Sequence, residues 1–276
     1  MIRRSIPDDT IFSAETPEVA YWAGFLMADG GVARNRTSFV ISLSLSTDDL
    51  DHLLKFRDFI GKRDDPGTMP QDMRRVAVGS KRLGDDLARW GVIPNKTYVG
   101  SIPSDIPQEL IPHYIRGLID GDGGIYIYRY TWTSWTIGMT NNETVIRQVA
   151  HILQDTLGIS PYVFMEKEDP QTHHRTYGLK FSHKRDVRDA VIWLGYGGDG
   201  QAMTRKREKA LEIIATDPRT IRNRPRTSED EASLRPALIC EYCGDEFRPK
   251  GRHRPNQRCC SASHAAHLRN RQRHSA

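Results

Sequence analysis

The sequence predicts an α+β chain made of two copies of one unit, followed by a small cysteine-bearing module. Three observations carry that reading. A stretch that begins Tyr21-Trp22-Ala23-Gly24 and closes Asp29-Gly30-Gly31 returns 93 residues later, as Tyr114-Ile115-Arg116-Gly117 closing Asp122-Gly123-Gly124. Each copy passes from an apolar helical pattern into alternating, β-branched residues and back to an amphipathic helix. All four cysteines of the 276-residue chain fall between Cys240 and Cys260, so everything before them lacks a disulfide framework.

The elements follow in order. The first helix of each copy stops at Asp-Gly-Gly, where glycine supplies the positive φ that ends a helix. The alternating stretch is Phe39-Val40-Ile41-Ser42-Leu43-Ser44-Leu45 in one copy and Trp132 to Met139 in the other. An amphipathic helix comes next, Asp49 to Ile60 and Glu143 to Leu157, the first preceded by the cap-like Ser46-Thr47-Asp48. The offset of 93 persists without gaps here: Thr47 falls on Thr140, Leu53 on Ile146, Phe56 on Val149 and Ile60 on Leu153. A short strand (Arg75 to Val78; Tyr177 to Phe181) and a last helix (Leu83 to Trp90; Asp186 to Trp193) complete the unit. A further strand is expected near Pro161 to Glu166 and near residue 70. Domain boundaries read as 1–105, 106–215, a linker at 216–236 and a terminal module at 237–276.

Hydrophobic residues make up 38% and charged residues 27%, a globular composition that excludes a fully disordered chain. No apolar run reaches membrane-spanning length, and the basic Met1 to Ser5 start is not followed by a signal-type apolar run. An intracellular, cytoplasmic protein is expected. Lys and Arg exceed Asp and Glu by 40 to 35. The segment from Ala237 onward holds eight Lys/Arg against three acids, so the net +5 equals the surplus of that end alone. A localised basic segment points to a polyanion.

Ala23-Gly24-x-x-x-Ala28 and Gly117-x-x-x-Gly121 place small residues one helical turn apart, which lets two helix backbones approach closely. Packed about a pseudo-two-fold axis, these helices bring Asp29 and Asp122 together at their C-terminal ends. Carboxylates there are disfavoured by the helix dipole and by each other. A hard divalent cation with oxygen ligands, Mg²⁺, removes that penalty. A single copy reads equally well as a glycine-rich helix end with a solvated Asp; the repetition at fixed spacing favours the paired site.

Residues Trp22 to Gly30 and Ile115 to Gly123 resemble the two signature helices of single-chain LAGLIDADG homing endonucleases, most closely in Gly117-Leu118-Ile119-Asp120-Gly121-Asp122-Gly123. The first copy departs from the pattern at Trp22, Phe25 and Met27. The resemblance spans about 17–213 and implies two pseudo-symmetric units, with motif helices packed at the centre and antiparallel sheets forming a saddle for DNA. It implies Asp29 and Asp122 as catalytic metal ligands, helped by the carbonyls of Ala28 and Gly121, while Met27 replaces an acid that is not a ligand. It also implies a basic residue near each cleavage point, Lys96 in Pro94-Asn95-Lys96-Thr97 and Lys206 in Met203-Thr204-Arg205-Lys206, with Arg205 and Arg207 as neighbouring alternatives. A lysine beside the scissile phosphate stabilises the pentavalent anion or polarises a water. Candidate DNA contacts on the strands after each motif are Arg34, Asn35, Arg36 and Ser38, then Tyr126, Tyr128, Arg129, Tyr130, Trp132 and Ser134, some to bases and some to phosphates. The aromatic run from Tyr126 to Trp135 reads equally as partly core.

In the terminal module, Cys240-x-x-Cys243 and Cys260-x-x-x-His264 make a four-ligand set suited to tetrahedral Zn²⁺. Cys259 and His267 stand as alternatives for the second pair. So short a segment needs the metal to fold. Arg252, Arg254, Arg269, Arg271 and Arg273 then add affinity for DNA phosphates. The function expected from the whole is site-specific cleavage of both strands of double-stranded DNA at a long asymmetric site, by a monomer belonging to a mobile genetic element. The chain ends lack a splicing-type Cys/Ser and His-Asn pair, which reads against an intein. An RNA maturase or a non-cleaving DNA-binding regulator on the same fold is the alternative.

Overall fold

Helix α1 (Pro17–Asp29) begins where Thr16 Oγ1 accepts a hydrogen bond from the Val19 amide and Pro17 presets the first turn. In this computed structural model, which describes residues 7–129, 133–218 and 238–247, α1 is buried from Val19 to Met27. Strands β1 (Gly30–Asn35) and β2 (Ser38–Ser46), helix α2 (Leu50–Phe59), strands β3 (Gly67–Met69) and β4 (Met73–Gly79), helix α3 (Lys81–Arg89) and the short α4 (Lys96–Val99) complete the first half. The second half repeats the order: α5 (Ile111–Asp122), β5 (Gly123–Arg129), β6 (Thr133–Asn141), α6 (Glu143–Leu157), β7 (Tyr162–Glu168), β8 (Arg175–Phe181), α7 (Lys184–Trp193) and α8 (Thr204–Ala215).

Among the described residues each half has a four-stranded antiparallel sheet of matching order, β1-β2-β4-β3 and β5-β6-β8-β7. Alternation sends Ile41, Leu43, Val76 and Val78 to the helix side of the first sheet, and Ile125, Trp135, Ile137 and Leu179 to that of the second. The strands expected near residue 70 and near 161–166 are β3 and β7. No described helix is long and apolar enough to cross a membrane. A small hairpin, β9 (Leu238–Ile239) with β10 (Glu246–Phe247), forms by itself around Cys240 and Cys243.

Helices α1 and α5 pack backbone to backbone. A Cβ on Gly24 would lie 2.0 Å from the Tyr114 carbonyl oxygen, and one on Gly117 would lie 2.1 Å from that of Tyr21. The two contacts are reciprocal, as a pseudo-two-fold requires: Tyr21 and Gly24 in one copy answer Tyr114 and Gly117 in the other. The bulky departures in the first copy fill a local aromatic core. Trp22 and Phe25 each sit 4.9 Å from the buried ring of His52, and Trp22 lies 5.2 Å from Phe56.

Three expectations need correction. Gly30 and Gly123 have φ of −72° and −123°, so positive φ does not end these helices. Glycine is needed there for space, because a Cβ on Gly30 would meet the Leu26 carbonyl at 2.5 Å and one on Gly123 the Gly138 carbonyl at 2.8 Å. Second, the sequence pattern shows one strand between each motif helix and the next helix; the structure has two, with β1 and β5 springing directly from the helix ends. Third, the gapless offset does not hold through the sheets. Gly30 pairs with Leu43, whereas Gly123 pairs with Met139, so the second strands are related by 96 residues and Thr140 answers Ser44. The second hairpin is longer, and the first copy recovers the difference with a single 3-10 turn, Thr47–Asp49, before α2. The offset then returns to 93, and the buried faces of α2 and α6 coincide.

Candidate functional site

Asp29 and Asp122 are the last residues of α1 and α5. A Cβ on Gly121 would come within 2.3 Å of the Ala28 Cβ and 3.5 Å of Asp29 Oδ2. The small pair Ala28 and Gly121 thus brings the two helix ends, and their acids, to one place. Asn141 Nδ2 donates to Asp122 Oδ2. The strand equivalent of Asn141 in the first half is Leu45, which has no such donor. Loss of bulk water raises the proton affinity of both carboxyls. For Asp122, burial first and the Asp29 carboxylate second push the pKa up to about 7. Asp29 is also raised, mainly by its recessed position, against the pull of Lys206 and Lys96.

Each acid is flanked by a buried lysine. Lys96 Nζ donates to the Ala28 carbonyl at 2.7 Å. Burial lowers its proton affinity, opposed first by Asp122 and then by Asp29. Lys206 Nζ donates to the carbonyls of Ile119 and Gly123, both at 2.8 Å, and to that of Asp120. Burial brings its pKa down to about 8. These ammonium groups neutralise the carbonyl ends of the motif helices.

The lysine-bearing segments are held crosswise. Asn142, which caps α6, donates to the carbonyls of Lys96 at 3.2 Å and Gly100 at 3.0 Å. Asp49, at the start of α2, takes the Arg205 guanidinium at 2.9 Å, and Asp51 accepts from Thr204 Oγ1 at 2.7 Å. Each half therefore grips the lysine segment of the other. Arg205 is committed to Asp49 and Arg207 donates to the Gly200 carbonyl, which distinguishes them from Lys206 as basic groups at the helix end.

Asp120, the motif acid whose counterpart is Met27, has partners that its own sequence neighbourhood does not reveal. It is buried, and accepts from Tyr21 Oη (2.8 Å), Tyr196 Oη (2.7 Å) and the Met203 amide (2.8 Å). Tyr21 Oη in turn lies 2.9 Å from His52 Nε2, whose pKa burial pushes down to about 3, so the ring is neutral. Asp120 thus fixes Met203 at the head of α8 and, one turn on, Lys206. The equivalent Met27 instead packs against Gly100, where a Cβ would meet its methyl at 2.3 Å. Asp120→Asn leaves one of three converging donors without an acceptor. It is expected to cost about 2 kcal/mol, read as a lowered urea midpoint at unchanged m-value; an unchanged midpoint would deny the network its role.

The remaining sequence candidates spread over the sheets. Asn35 and Ser38 pair at the end of the first hairpin, and Arg36 lies in its turn with φ of 51°. Arg34 shares the helix-side face with Val32. Tyr126 and Tyr128 lie exposed on the open face of the second sheet, with parallel rings 6.1 Å apart. Arg129 is ion-paired to Glu212. Tyr162, Phe164 and Lys180 join the same open face and escape a reading of the sequence, because β7 and β8 lie far along the chain from the motif. Trp135 is core, and Ser134 pairs with Tyr128. Cys240 is buried and Cys243 exposed on a turn closed by Gly244 N donating to the Cys240 carbonyl at 2.8 Å. Tyr130, Trp132, Arg252, Arg254, Cys260, His264, Arg269, Arg271 and Arg273 lie outside the described residues. Among the described residues no cluster of three His, Cys, Asp or Glu side chains forms a metal cage.

No protein-family model matches the sequence, and no curated protein matches it. Solved structures do. The LAGLIDADG meganuclease I-AabMI bound to uncleaved DNA is similar at a TM-score of 0.50 and 11% identity, covering 72% of this chain and 88% of that one. The LAGLIDADG homing endonuclease I-GzeII in complex with its DNA target gives a TM-score of 0.49 at 13% identity, covering 73% and 89%. Meganuclease I-SmaMI bound to uncleaveable DNA gives 0.49 at 13%, covering 71% and 88%. The likeness to I-AabMI bears on the fold, and with the paired sheets and central helices it establishes the LAGLIDADG endonuclease fold for this chain.

Proposed function

We propose that the chain is a site-specific endonuclease that hydrolyses one phosphodiester in each strand of double-stranded DNA with the help of Mg²⁺. The observation that supports it is the pair Asp29 and Asp122, drawn together at two helix ends, each raised in pKa and flanked by a buried lysine. The donor set fits a hard divalent ion: carboxylate oxygens that repel each other, beside the carbonyls of Ala28 and Gly121. Mg²⁺ held by Asp29 and Asp122 would supply charge neutralisation at the phosphate and a more acidic water. Lys96 and Lys206 are positioned to meet the anionic charge that develops on the phosphate. Lys206, with its pKa near 8, also exchanges a proton readily near neutral pH. The two open sheet faces lie along the flanking grooves, where base edges are read. I-AabMI was solved on DNA, which supports the same partner here.

The test is an unbiased digestion. Incubate purified protein and Mg²⁺ with a randomised duplex library and with host and phage DNA, then sequence every new end. Recurrent ends at one long site support the endonuclease; their absence with well-folded protein overturns it and turns attention to RNA.

Metal binding has its own readout. Asp122 has a folded pKa near 7 against 3.8 for the free side chain. A raised acid binds its proton more tightly when folded, so metal-free stability rises as pH falls through 7 toward 4, and the penalty is full above 7. Mg²⁺ is therefore expected to raise Tm by several degrees at pH 8 and by much less at pH 5.5, at about 2–4 °C per kcal/mol for a chain this size. Equal shifts at both pH values would refute two-carboxylate binding.

We further propose that the terminal module takes Zn²⁺ through Cys240, Cys243, Cys260 and His264 and tethers the enzyme to DNA through its arginines. Deleting residues 237–276 is expected to weaken binding and to shallow the log–log salt slope by about 0.9 for each phosphate no longer neutralised. The position of cleavage stays fixed; a shifted cut would contradict the tether.

A further inference from the structure

The two open sheet faces differ in chemistry. On the first, Gly31, Ala33, Ser42, Ser44, Ala77 and Gly79 present small or hydroxyl groups beside Val40, Arg75, Met69 and Met73, with no aromatic side chain on that face among the described residues. On the second, two parallel ring pairs stand on the outer strands: Tyr126 with Tyr128 at 6.1 Å, and Tyr162 with Phe164 at 5.5 Å. Glycines opposite or beside them make room. A Cβ on Gly124 would meet the Tyr126 ring at 2.4 Å, and one on Gly178 the Phe164 ring at 2.6 Å. Lys180 Nζ sits 5.0 Å from the Phe164 centroid and 5.7 Å from that of Tyr162. Between the ring pairs runs a trough of about 250 Å³ that reaches Asp122.

This face is continuous with the carboxylate centre, and its lysines suit a polyanion. Its rings offer base edges a broad apolar surface, with a phenolic hydroxyl only at the tip of each tyrosine. In the major groove the one apolar group on a base edge is the thymine C5 methyl. We infer that the half-site lying on β5–β8 is recognised chiefly through thymine methyls packed against Tyr126, Tyr162 and Phe164, while the half-site on β1–β4 is read chiefly by hydroxyls and Arg75 and depends less on methyls. This rests on the DNA-binding reading above and adds which half discriminates and by what contact.

Deoxyuridine removes only the methyl and keeps every hydrogen-bonding edge. The experiment selects duplexes bound by the full chain from a randomised library without divalent metal. The recovered duplex is then rebuilt with deoxyuridine for thymidine in one half at a time, and affinities are compared. With each buried methyl worth about fourfold, substitution in one half is expected to weaken binding about tenfold or more, and in the other by no more than about fourfold. Tyr162→Ala and Phe164→Ser are expected to erase that difference; Tyr126→Ser is a second exposed variant should Phe164→Ser not fold. Equal losses in both halves, no loss, or a difference that survives all three variants would overturn the inference while leaving DNA binding intact. Failure to recover any duplex overturns instead the reading on which it rests.

Discussion

Gly117→Ala is expected to destabilise the protein by about 3 kcal/mol or more, although helix propensity alone predicts a gain of about 1 kcal/mol. The sign is decided by space. The new Cβ would lie 2.1 Å from the Tyr21 carbonyl oxygen and 2.6 Å from the Phe25 amide nitrogen. Both are backbone atoms of a buried helix and cannot rotate away. Relief requires α1 and α5 to move apart, which loosens the apolar seam along both. The loss is a large share of a stability of order 5–15 kcal/mol. Gly24→Ala meets the Tyr114 carbonyl in the same way and is expected to cost as much. Once the helices have separated, the second methyl adds little, so the double variant should fall well short of the sum. Urea unfolding of the three variants checks this; a Gly117→Ala protein as stable as the parent would show that the helices do not touch as described.

Asp29→Asn and Asp122→Asn are each expected to lower double-strand cleavage about a thousandfold, the equivalent of about 4 kcal/mol of transition-state stabilisation at 1.36 kcal/mol per decade. Binding of the uncleaved duplex should change little, because the helices need the volume of the residue and not its charge. Metal-free stability at pH 8 should rise, since the substitution removes one of two mutually repelling groups. Cleavage assays, duplex affinities and metal-free urea unfolding at pH 8 on the same preparations separate the three effects. Cutting retained by both single variants would remove these acids from the mechanism.

The centre of the fold is readable because its determinants are local. Gly-x-x-x-Gly spacing and a helix ending in Asp-Gly are visible within a dozen residues, and the helix expected at Glu143 to Leu157 is α6 over its observed span. Where long-range partners decide the outcome, the sequence is silent. Asp120 is anchored by Tyr21, Tyr196 and Met203, and nothing near Asp120 announces them. Helix α8 escapes a periodicity reading because Lys206 occupies its buried face, where the pattern would require an apolar residue. The gapless offset misleads because a longer hairpin in one half and a 3-10 turn in the other cancel within some twenty residues. Met27 reads as a missing acid; it is the packing partner of Gly100.

The apolar seam has a consequence during synthesis. Helix α1 is buried almost to its end, chiefly by α5, and α5 is complete only at Asp122, 93 residues later. A ribosome adding about 5–20 residues per second leaves α1 without its partner for roughly 5–20 s. Over that interval the nascent first half leaves the α1 seam at Tyr21, Gly24 and Ala28 uncovered, while Trp22 and Phe25 already have His52 and Phe56 to pack on. Closing so long a segment is also slow relative to local helix and hairpin formation. That seam is the surface at risk of aggregation during synthesis, and cooler expression or holding chaperones are expected to raise the yield of native protein.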